Sequence, residues 1–352
     1  MKRIYVLPMV VLLLITMATP SFAANKYGSK AYGMGGAFTA VADDASAVYW
    51  NPAGLTQSGL LGLELNLGGQ AKSDDIEAIQ DFIDSIDNIQ NAGTDQEKID
   101  AVKGLEFPDD VDLNVNGMLA LNLKSFGLGI VANSELETKS SSEADGSKTK
   151  HAENMVTGEG IVSLGTKIIN PPLNIGSIAL GMNAKYVSKR YDAVTYSYNE
   201  DVNTPKFKSS EQTSEATGYG VDFGALIKVT DMVNLGATVR NATSKLDWDE
   251  DYGFEDELER TVTLGAAAKL PYPLAAIVAV DVEMPEDQED IYHIGLEKRI
   301  IAGLLSLRLG AYEQDGQDRV YTGGLGINIP FIDLNVAVDS EDYVSLSGTF
   351  KF

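Results

Sequence analysis

Apolar and polar residues alternate with a period of two along most of the chain after residue 58. In the last segment, Val344, Leu346 and Phe350 share one face, whereas Ser345 and Thr349 share the other. Because successive side chains of an extended strand point to opposite faces, this alternation predicts strands with one apolar and one polar face. The pattern therefore indicates an all-β protein.

The alternation predicts a series of fourteen strands, and many of them approach the roughly 9–11 residues that a tilted membrane-spanning strand requires. An even number of antiparallel strands also returns the last strand to the side where the first began. The predicted strands are 59–69, 112–123, 126–136, 154–169, 173–191, 213–229, 232–243, 258–270, 274–283, 290–300, 303–313, 318–329, 331–339 and 342–352.

Short and long connections alternate between these strands. The short ones are 124–125, 170–172, 230–231, 271–273, 301–302 and 330, and the long ones include 70–111, 137–153, 192–212 and 244–257. Outer-membrane barrels have short turns on one side and long loops on the other. The alternation therefore predicts that residues 59–352 form a 14-stranded antiparallel transmembrane β-barrel.

The first 23 residues have the features of a signal peptide. Lys2 and Arg3 precede an apolar stretch, and Ser21 and Ala23 form a small-residue cleavage site. The apolar stretch is short for a membrane anchor, and the later sequence has no apolar run of helical membrane length. We therefore expect export through the Sec pathway to the outer membrane of a Gram-negative bacterium, because only helices and closed barrels satisfy their backbone in lipid.

Composition excludes two further possibilities. The chain has no cysteine, so disulfides cannot stabilise it outside the cytoplasm. Its formal net charge of −24 disfavours nucleic acid as a partner, because phosphate binding requires clustered lysine and arginine.

The inward faces of the predicted strands carry charges of both signs. Ionised groups in a confined interior need partners, so these residues either brace the barrel or form a ligand site. The predicted lumen residues are Glu64, Asn66, Asn114, Asn116, Glu159, Lys167, Asn183, Lys185, Asp222, Lys228, Arg240, Lys269, Asp281, Glu297 and Arg308.

A glycine-rich, partly apolar stretch at residues 24–58 precedes the first strand. Gly33, Gly35 and Gly36 allow positive φ and close approach to other backbone. Residues 43–47 are predicted to form one helical turn, with the acidic side chains of Asp43 and Asp44 at its start. Such a compact segment needs a container, and the following strands provide one.

The end of this stretch predicts a rigid kink. Asn51 can bond backbone groups with its amide, Pro52 fixes φ, and the small Ala53 allows close approach to a wall. Tyr49 and Trp50 can anchor the kink through their apolar rings and polar tips. The kink either gates transport or only seals the barrel.

Residues 33–55, which include Asn51, Pro52 and Ala53, resemble the N-terminal hatch of the FadL/TodX family of outer-membrane transporters for hydrophobic compounds. The resemblance implies that residues 24–58 plug the barrel. It also implies passive uptake of small hydrophobic compounds, such as long-chain fatty acids or aromatic hydrocarbons. The terminal Phe352 resembles the aromatic residue that such barrels present to their assembly machinery.

The same stretch also resembles PorV-type secretion-shuttle barrels and TraF-like barrels assigned to plasmid transfer. The alternative is therefore a non-transporting barrel whose partners are secretion-system proteins. In either case, we expect the barrel to contact outer-membrane lipid and lipopolysaccharide.

The first long loop, about residues 74–103, predicts helices. Apolar residues between 76 and 86 recur at spacings of three and four, which is an amphipathic pattern. Thr94 and Glu97 form a capping box that begins a second helix, ending near Val102. A helical hairpin here can cover the pore mouth or pack only on itself.

Residues 247–259 contain eight acidic side chains and begin like a calcium loop, with Asp247, Asp249 and Asp251 at alternate positions. Tyr252 stands where the loop requires glycine and Leu258 where it requires glutamate. The stretch therefore predicts a solvated acidic loop, with these three aspartates as weak metal-ligand candidates.

The sequence lacks the motifs of catalysis. It has two histidines, His151 and His293, and no nucleophile-elbow, phosphate-loop or zinc spacing. We therefore expect no enzymatic activity and no cofactor.

Overall fold

The computed structural model of the chain describes residues 26–70, 89, 92–103, 112–142, 147–171, 176–199, 206–250 and 253–352. Fourteen strands lie in this part of the chain. They are β1 (Leu61–Gln70), β2 (Asp112–Leu123), β3 (Phe126–Ser142), β4 (Ser147–Ile169), β5 (Ser177–Asn199), β6 (Phe207–Lys228), β7 (Val233–Trp248), β8 (Thr261–Leu270), β9 (Ala276–Pro285), β10 (Ile291–Ile300), β11 (Leu305–Gln314), β12 (Val320–Ile329), β13 (Ile332–Asp339) and β14 (Tyr343–Lys351).

The strands form one closed antiparallel barrel. Each strand pairs with its neighbours in sequence, and β1 pairs with β14 to close the ring. The C-terminal residue extends this closure, because Phe352 and Leu61 exchange two backbone hydrogen bonds of 2.8 and 3.1 Å. The predicted 14-stranded barrel is therefore confirmed.

The predicted alternation of faces is also confirmed. On β1, Leu65 and Leu67 are 52% and 59% exposed on the outside, whereas Glu64 and Asn66 are 2% and 0% exposed inside. An apolar exterior around a polar interior is the surface expected of a membrane-spanning barrel. No helix among the described residues is both long and apolar enough to cross a membrane.

Five strands on one side of the barrel, β3–β7, are longer than predicted. The prediction began β4 at residue 154 and ended β5 at 191, whereas both strands have 23 residues. The extra residues on β3 and β4 include serine, threonine and lysine, and they pair in register from Thr138–Ala152 onward. Their polar sequence has no alternation because these residues do not separate lipid from lumen.

Among the described residues, helical structure is confined to short segments. The helices are α1 (Ser29–Tyr32), α2 (Ala47–Trp50) and α3 (Asp95–Lys103), with 3₁₀ turns at Pro52–Thr56 and Ile301–Gly303.

The predicted capping box at α3 is confirmed. The Glu97 amide donates to Thr94 Oγ1 at 3.2 Å, and the Thr94 amide donates to Glu97 Oε2 at 3.0 Å. Ile99 and Val102 then pack in one cluster with Tyr196 and Tyr198 of the extended β5.

Three predictions concern residues outside the described part of the chain. They are the signal peptide, most of the first predicted loop helix, and Asp251 as a metal-ligand candidate.

Candidate functional site

Residues 26–58, called the plug below, lie inside the barrel. Most of their apolar side chains are fully buried, including Met34, Phe38 and Val41. They contact wall residues near the short turns, such as Gly165, four residues before the end of β4. The plug therefore fills the end of the barrel that the short turns border.

Wall glycines receive the plug backbone. A Cβ atom on Gly181 would lie 2.2 Å from Ala53 N, and one on Gly310 would lie 2.1 Å from Gly35 N. These distances are shorter than any side chain tolerates, so only glycine fits. We call the following set the glycine belt: Gly165, Gly181, Gly224, Gly236, Gly265, Gly295 and Gly310.

Strand register places several glycines of the belt side by side. Gly165 pairs with Gly181 across β4 and β5, and Gly181 pairs with Gly224 across β5 and β6. Further round the barrel, Gly295 pairs with Gly310 across β10 and β11. The plug thus docks closely against β4–β8, β10 and β11, and its backbone meets the wall at Gly165, Gly181, Gly236, Gly295 and Gly310.

Polar wall side chains hold the same part of the plug. Asp281 Oδ2 accepts hydrogen bonds from the amides of Phe38 (3.0 Å) and Thr39 (2.8 Å). His293 Nδ1 lies 2.7 Å from the carbonyl oxygen of Gly35, to which it can donate. These contacts satisfy plug backbone groups that no regular helix or strand would satisfy.

Asn51 forms the predicted kink. Its Oδ1 accepts from the Ala53 amide at 3.1 Å, and its Nδ2 donates to the carbonyls of Thr39 (2.9 Å) and Ala225 (3.1 Å). Helix α2 ends at Trp50, and Pro52 begins the following 3₁₀ turn. One side chain therefore joins both arms of the kink to β6.

Tyr49 and Trp50 pack as predicted, through rings and polar tips. Trp50 Nε1 donates to the Tyr27 carbonyl at 2.9 Å. The guanidinium of Arg240 lies 4.4 Å from the Tyr49 ring centroid and donates to the Tyr49 hydroxyl at 3.3 Å. These contacts tie the plug to β7.

Two local predictions in the plug are wrong. Gly35 and Gly36 have positive φ, but Gly33 has φ −62°, and its tight contact is with Gly324 Cα instead. The helical turn predicted at 43–47 begins later, at Ala47. The reason is that Asp44 Oδ1 accepts from the Ser46 amide, which forms a turn that precedes the helix.

Replacing Asn51 with alanine should loosen the plug without unfolding the barrel. The change removes the acceptor for one buried amide and the donor for two carbonyls, at about 1–3 kcal/mol for each buried group left unpaired. We expect normal heat-modifiable migration together with faster amide exchange in residues 38–55. Exchange at the wild-type rate would show that the kink does not depend on this side chain.

Lys30 and Asp43 form an ion pair inside the plug, and Lys30 also lies 3.1 Å from Asp44. Burial by itself raises the pKa of Asp43, but Lys30 and then Lys269 outweigh it and lower the pKa to about 2. Burial likewise lowers the pKa of Lys30, but Asp43 and Asp44 outweigh it, so this pKa is raised. The pair therefore stays ionised across the neutral range.

These shifts predict an acid transition of the plug. Because the folded-state pKa of Asp43 lies below its unfolded value of about 3.9, the pair stabilises the plug above that pH. This stabilisation is lost as pH falls toward 2. Trp50 fluorescence in a Trp248→Phe background should report the change, and Lys30→Gln should move its midpoint to higher pH. Identical midpoints in both proteins would contradict this role.

A chamber lies between the plug and the long connections. It has a volume of about 200 Å³, with Tyr49 of the plug on one side and Glu259 and Gln288 of the long connections on the other. Its wall includes Lys185, which pairs with Asp222 at 3.1 Å and Glu159 at 3.4 Å. The chamber is therefore lined by charged and polar side chains as well as by apolar ones.

Within the acidic stretch, the described metal-ligand candidates have other roles. Asp249 Oδ1 accepts from the Glu215 amide at 2.7 Å and from Ser214 Oγ at 2.9 Å, and Asp247 pairs with Lys245. No group of three metal-binding side chains occurs among the described residues. Asp249 therefore joins the end of β7 to β6, whereas Asp247 pairs within β7.

The terminal Phe352 is 65% exposed and stacks on Phe331, with ring centroids 6.2 Å apart. The two rings lie beside the short turn between β12 and β13. An accessible terminal aromatic is compatible with the predicted role in barrel assembly.

The sequence predicts Asp281 only as a lumen residue and gives His293 no role, because no catalytic motif accompanies it. Their contacts to the plug depend on which plug atoms face them, and a period-two pattern carries no such information. The glycine belt was missed as well, although its glycines all lie on inward positions of predicted strands.

Solved structures share the fold of this closed 14-stranded barrel. The structure is similar to the toluene transporter TodX of Pseudomonas putida, with 13% sequence identity and a TM-score of 0.58, covering 93% of this chain and 98% of that one. It is also similar to the toluene transporter TbuX of Ralstonia pickettii, with 12% identity, a TM-score of 0.60, and coverage of 94% and 100%.

A FadL homologue of Pseudomonas aeruginosa is a third similar structure, with 13% identity, a TM-score of 0.50, and coverage of 96% and 100%. No family model matches the sequence, and no curated protein matches it either. At these identities the similarity establishes the fold, which is that of the FadL/TodX-type barrels, as the plug sequence predicted.

Proposed function

We propose that the protein is an outer-membrane channel for the passive uptake of small hydrophobic compounds. The observation that carries the proposal is the plugged 14-stranded barrel, a fold shared along nearly the whole chain with two toluene transporters. We include aromatic hydrocarbons and long-chain fatty acids among the candidate substrates.

The position of the plug gives the proposed route. A compound enters from the side of the long connections, reaches the chamber and leaves past the plug on the side of the short turns. Because the glycine belt fits the plug closely, passage requires the plug to shift. The kink at Asn51, Pro52 and Ala53 touches both the plug and the wall, and we propose that it gates this movement.

Uptake into proteoliposomes tests the channel. The purified barrel is reconstituted and exposed to labelled toluene or a labelled long-chain fatty acid, with trapping of the compound inside. We expect faster accumulation than in empty vesicles. Rates equal to those of empty vesicles for both compounds would contradict the proposal.

The tight fit of the glycine belt favours a second candidate, a non-transporting barrel that binds secretion-system proteins through its loops. A plug that never moves would close the pore permanently. Copurification with large periplasmic or secreted proteins, combined with no flux in the vesicle assay, would support this candidate.

A further inference from the structure

Strand β7 is longer than the strand that covers one of its edges. It ends at Trp248, whereas β8 pairs with it only from Val233 to Arg240. Residues 243–248 therefore pair with β6 on one edge, and β8 gives them no partner on the other. Because an uncovered strand edge presents a row of backbone donors and acceptors, another segment has to cover it.

Residues 253–260, called the strap below, cover this edge of β7. The strap runs back along β7 toward the start of β8. The Leu246 amide donates to the Asp256 carbonyl, which is a contact between two backbone groups. The other hydrogen bonds between the strap and β7, within the described part of the chain, use the side chains of Asn241, Ser244 and Trp248.

Ser244 makes the central contact with the strap. Its Oγ accepts from the Leu258 amide at 2.9 Å and donates to the Leu258 carbonyl at 3.4 Å. Next to it, Asn241 Nδ2 donates to the Glu259 carbonyl at 2.8 Å. Such contacts end when one side chain rotates, whereas a strand ladder separates only when two strands move apart. The strap can therefore leave β7 while the barrel stays closed.

The barrel wall is irregular where the strap meets it. Residues 240–242 of β7 oppose Asp222 alone, so the strand bulges at this point. Asn241 has a φ of 49°, a left-handed conformation that asparagine tolerates better than most residues. Its Oδ1 accepts from Lys185 Nζ of the chamber wall at 2.6 Å, while its Nδ2 holds the strap. The bulge thus connects the chamber wall to the strap.

The strap forms part of the chamber wall. Leu258 and Glu259 both line the chamber. At the start of the strap, Phe254 stacks on Trp248, with ring centroids 4.3 Å apart. At its end, the Arg260 carbonyl accepts a backbone amide of the connection after β9 at 2.9 Å. Both ends are therefore anchored, and the part between them covers the chamber.

Exposed tyrosines place the strap at the outer boundary of the membrane. Tyr186, Tyr219 and Tyr292 are exposed on outward positions of β5, β6 and β10. Aromatic side chains of membrane barrels gather at the boundary between lipid and water. Lys245 is the register partner of Tyr219, and Ser244 precedes it on β7. The strap therefore meets β7 at the end of the barrel where the proposed route begins.

We propose that the strap is the lid of the chamber. It leaves β7 at Asn241 and Ser244 to admit a hydrophobic compound, and it returns to close the chamber. This inference rests on the proposed channel function and adds a gate at the outer end of the route, separate from the movement of the plug. Segments that act as lids are drawn from parts of a fold with few ladder contacts, as the strap is.

The reaction of a single cysteine in the chamber tests whether the strap controls access. The chain has no cysteine, so Ile161→Cys places one thiol in the chamber wall. The purified full barrel in detergent is reacted with methyl methanethiosulfonate, which is small and uncharged. Ser244→Ala removes the central contact of the strap, and we expect it to make the reaction about tenfold faster.

Thr149→Ala is the matched control for this reaction. It removes a hydroxyl group from the extended part of β4, where Thr149 Oγ1 lies 3.2 Å from Ser197 Oγ and away from the chamber lining. We expect the chamber cysteine to react at the unchanged rate in this variant. Equal rates with and without the Ser244 hydroxyl overturn the inference.

A disulfide across the strap tests the lid during transport. Ser244 Oγ lies 2.9 Å from the Leu258 amide, so Ser244→Cys with Leu258→Cys brings two thiols close together. Oxidised proteoliposomes should accumulate labelled toluene about tenfold more slowly than reduced ones, because the lid can no longer open. Thr149→Cys with Ser197→Cys joins two strands outside the chamber and should give equal uptake in both states.

The lid and the channel can fail separately. Equal toluene uptake with the strap disulfide formed and reduced, checked by thiol titration, overturns the lid and leaves the channel standing. If titration finds that the pair has not joined, the reaction rates of the chamber cysteine decide alone. No uptake by any variant or by the wild type refutes the channel, and the same reaction rates then decide whether the strap covers the chamber.

Discussion

Gly181→Val should expel the plug from its seat. A Cβ atom at this position would meet Ala53 N at 2.2 Å and the carbonyl carbon of Pro52 at 2.3 Å, and neither backbone atom can rotate away. Overpacking by side chains alone typically costs about 1–3 kcal/mol, and backbone overlap adds to that figure. Since the barrel ladder does not depend on this contact, we expect an assembled barrel with an open or displaced plug.

Conductance across planar bilayers measures this result, and heat-modifiable migration verifies that the barrel assembles. Gly160→Val is the matched control, because Gly160 lies on the neighbouring strand β4 with no atom within 4 Å of its Cβ position. We expect large steady conductance for Gly181→Val and closed behaviour for Gly160→Val. Two equally closed barrels would show that the glycine belt does not determine the seat of the plug.

Asp281→Ala should release the middle of the plug. The carboxylate is 2% exposed and accepts the amides of Phe38 and Thr39, so its removal leaves two buried donors unpaired. At about 1–3 kcal/mol for each, the loss is about 2–6 kcal/mol. This loss is enough to shift the plug strongly from its seated state to a released state, while the closed β-ladder remains intact.

Hydrogen exchange followed by mass spectrometry on peptides covering residues 33–50 is the appropriate measurement. We expect exchange to increase by at least tenfold in Asp281→Ala. Asp281→Asn keeps an oxygen acceptor and removes the charge, so it should protect these amides far better. If both variants exchange alike, the charge of Asp281 holds the plug and its hydrogen bonds do not.

The barrel was predictable from sequence because its determinants are local. Alternation on β1 places Leu65 and Glu64 on opposite faces of the strand, whichever strands lie beside it. The lengths of the connections show at which end of the barrel the chain makes its short turns. The extensions of β3–β7 were not predictable in the same way, because polar pairs such as Ser141 with Thr149 form through the ladder alone.

The candidate site was predictable only in part. Asn51 next to proline predicts a kink from local chemistry, and the structure confirms it. Gly181 and Gly310 look like ordinary strand glycines, since their role depends on contacts with Ala53 and Gly35 far away in sequence. The charge balance of the chamber likewise depends on the register that brings separate strands together.

A reversible lock on the plug tests the central claim most directly. Ser29 Oγ of the plug and Ser345 Oγ of β14 are 2.8 Å apart, and the protein has no cysteine, so Ser29→Cys with Ser345→Cys introduces one defined pair. Such proximity is compatible with disulfide formation. We predict that proteoliposomes take up labelled toluene rapidly when the pair is reduced and slowly when it is oxidised. Equal uptake in both states, or no uptake in either state or by the wild type, would contradict a channel that conducts past its plug.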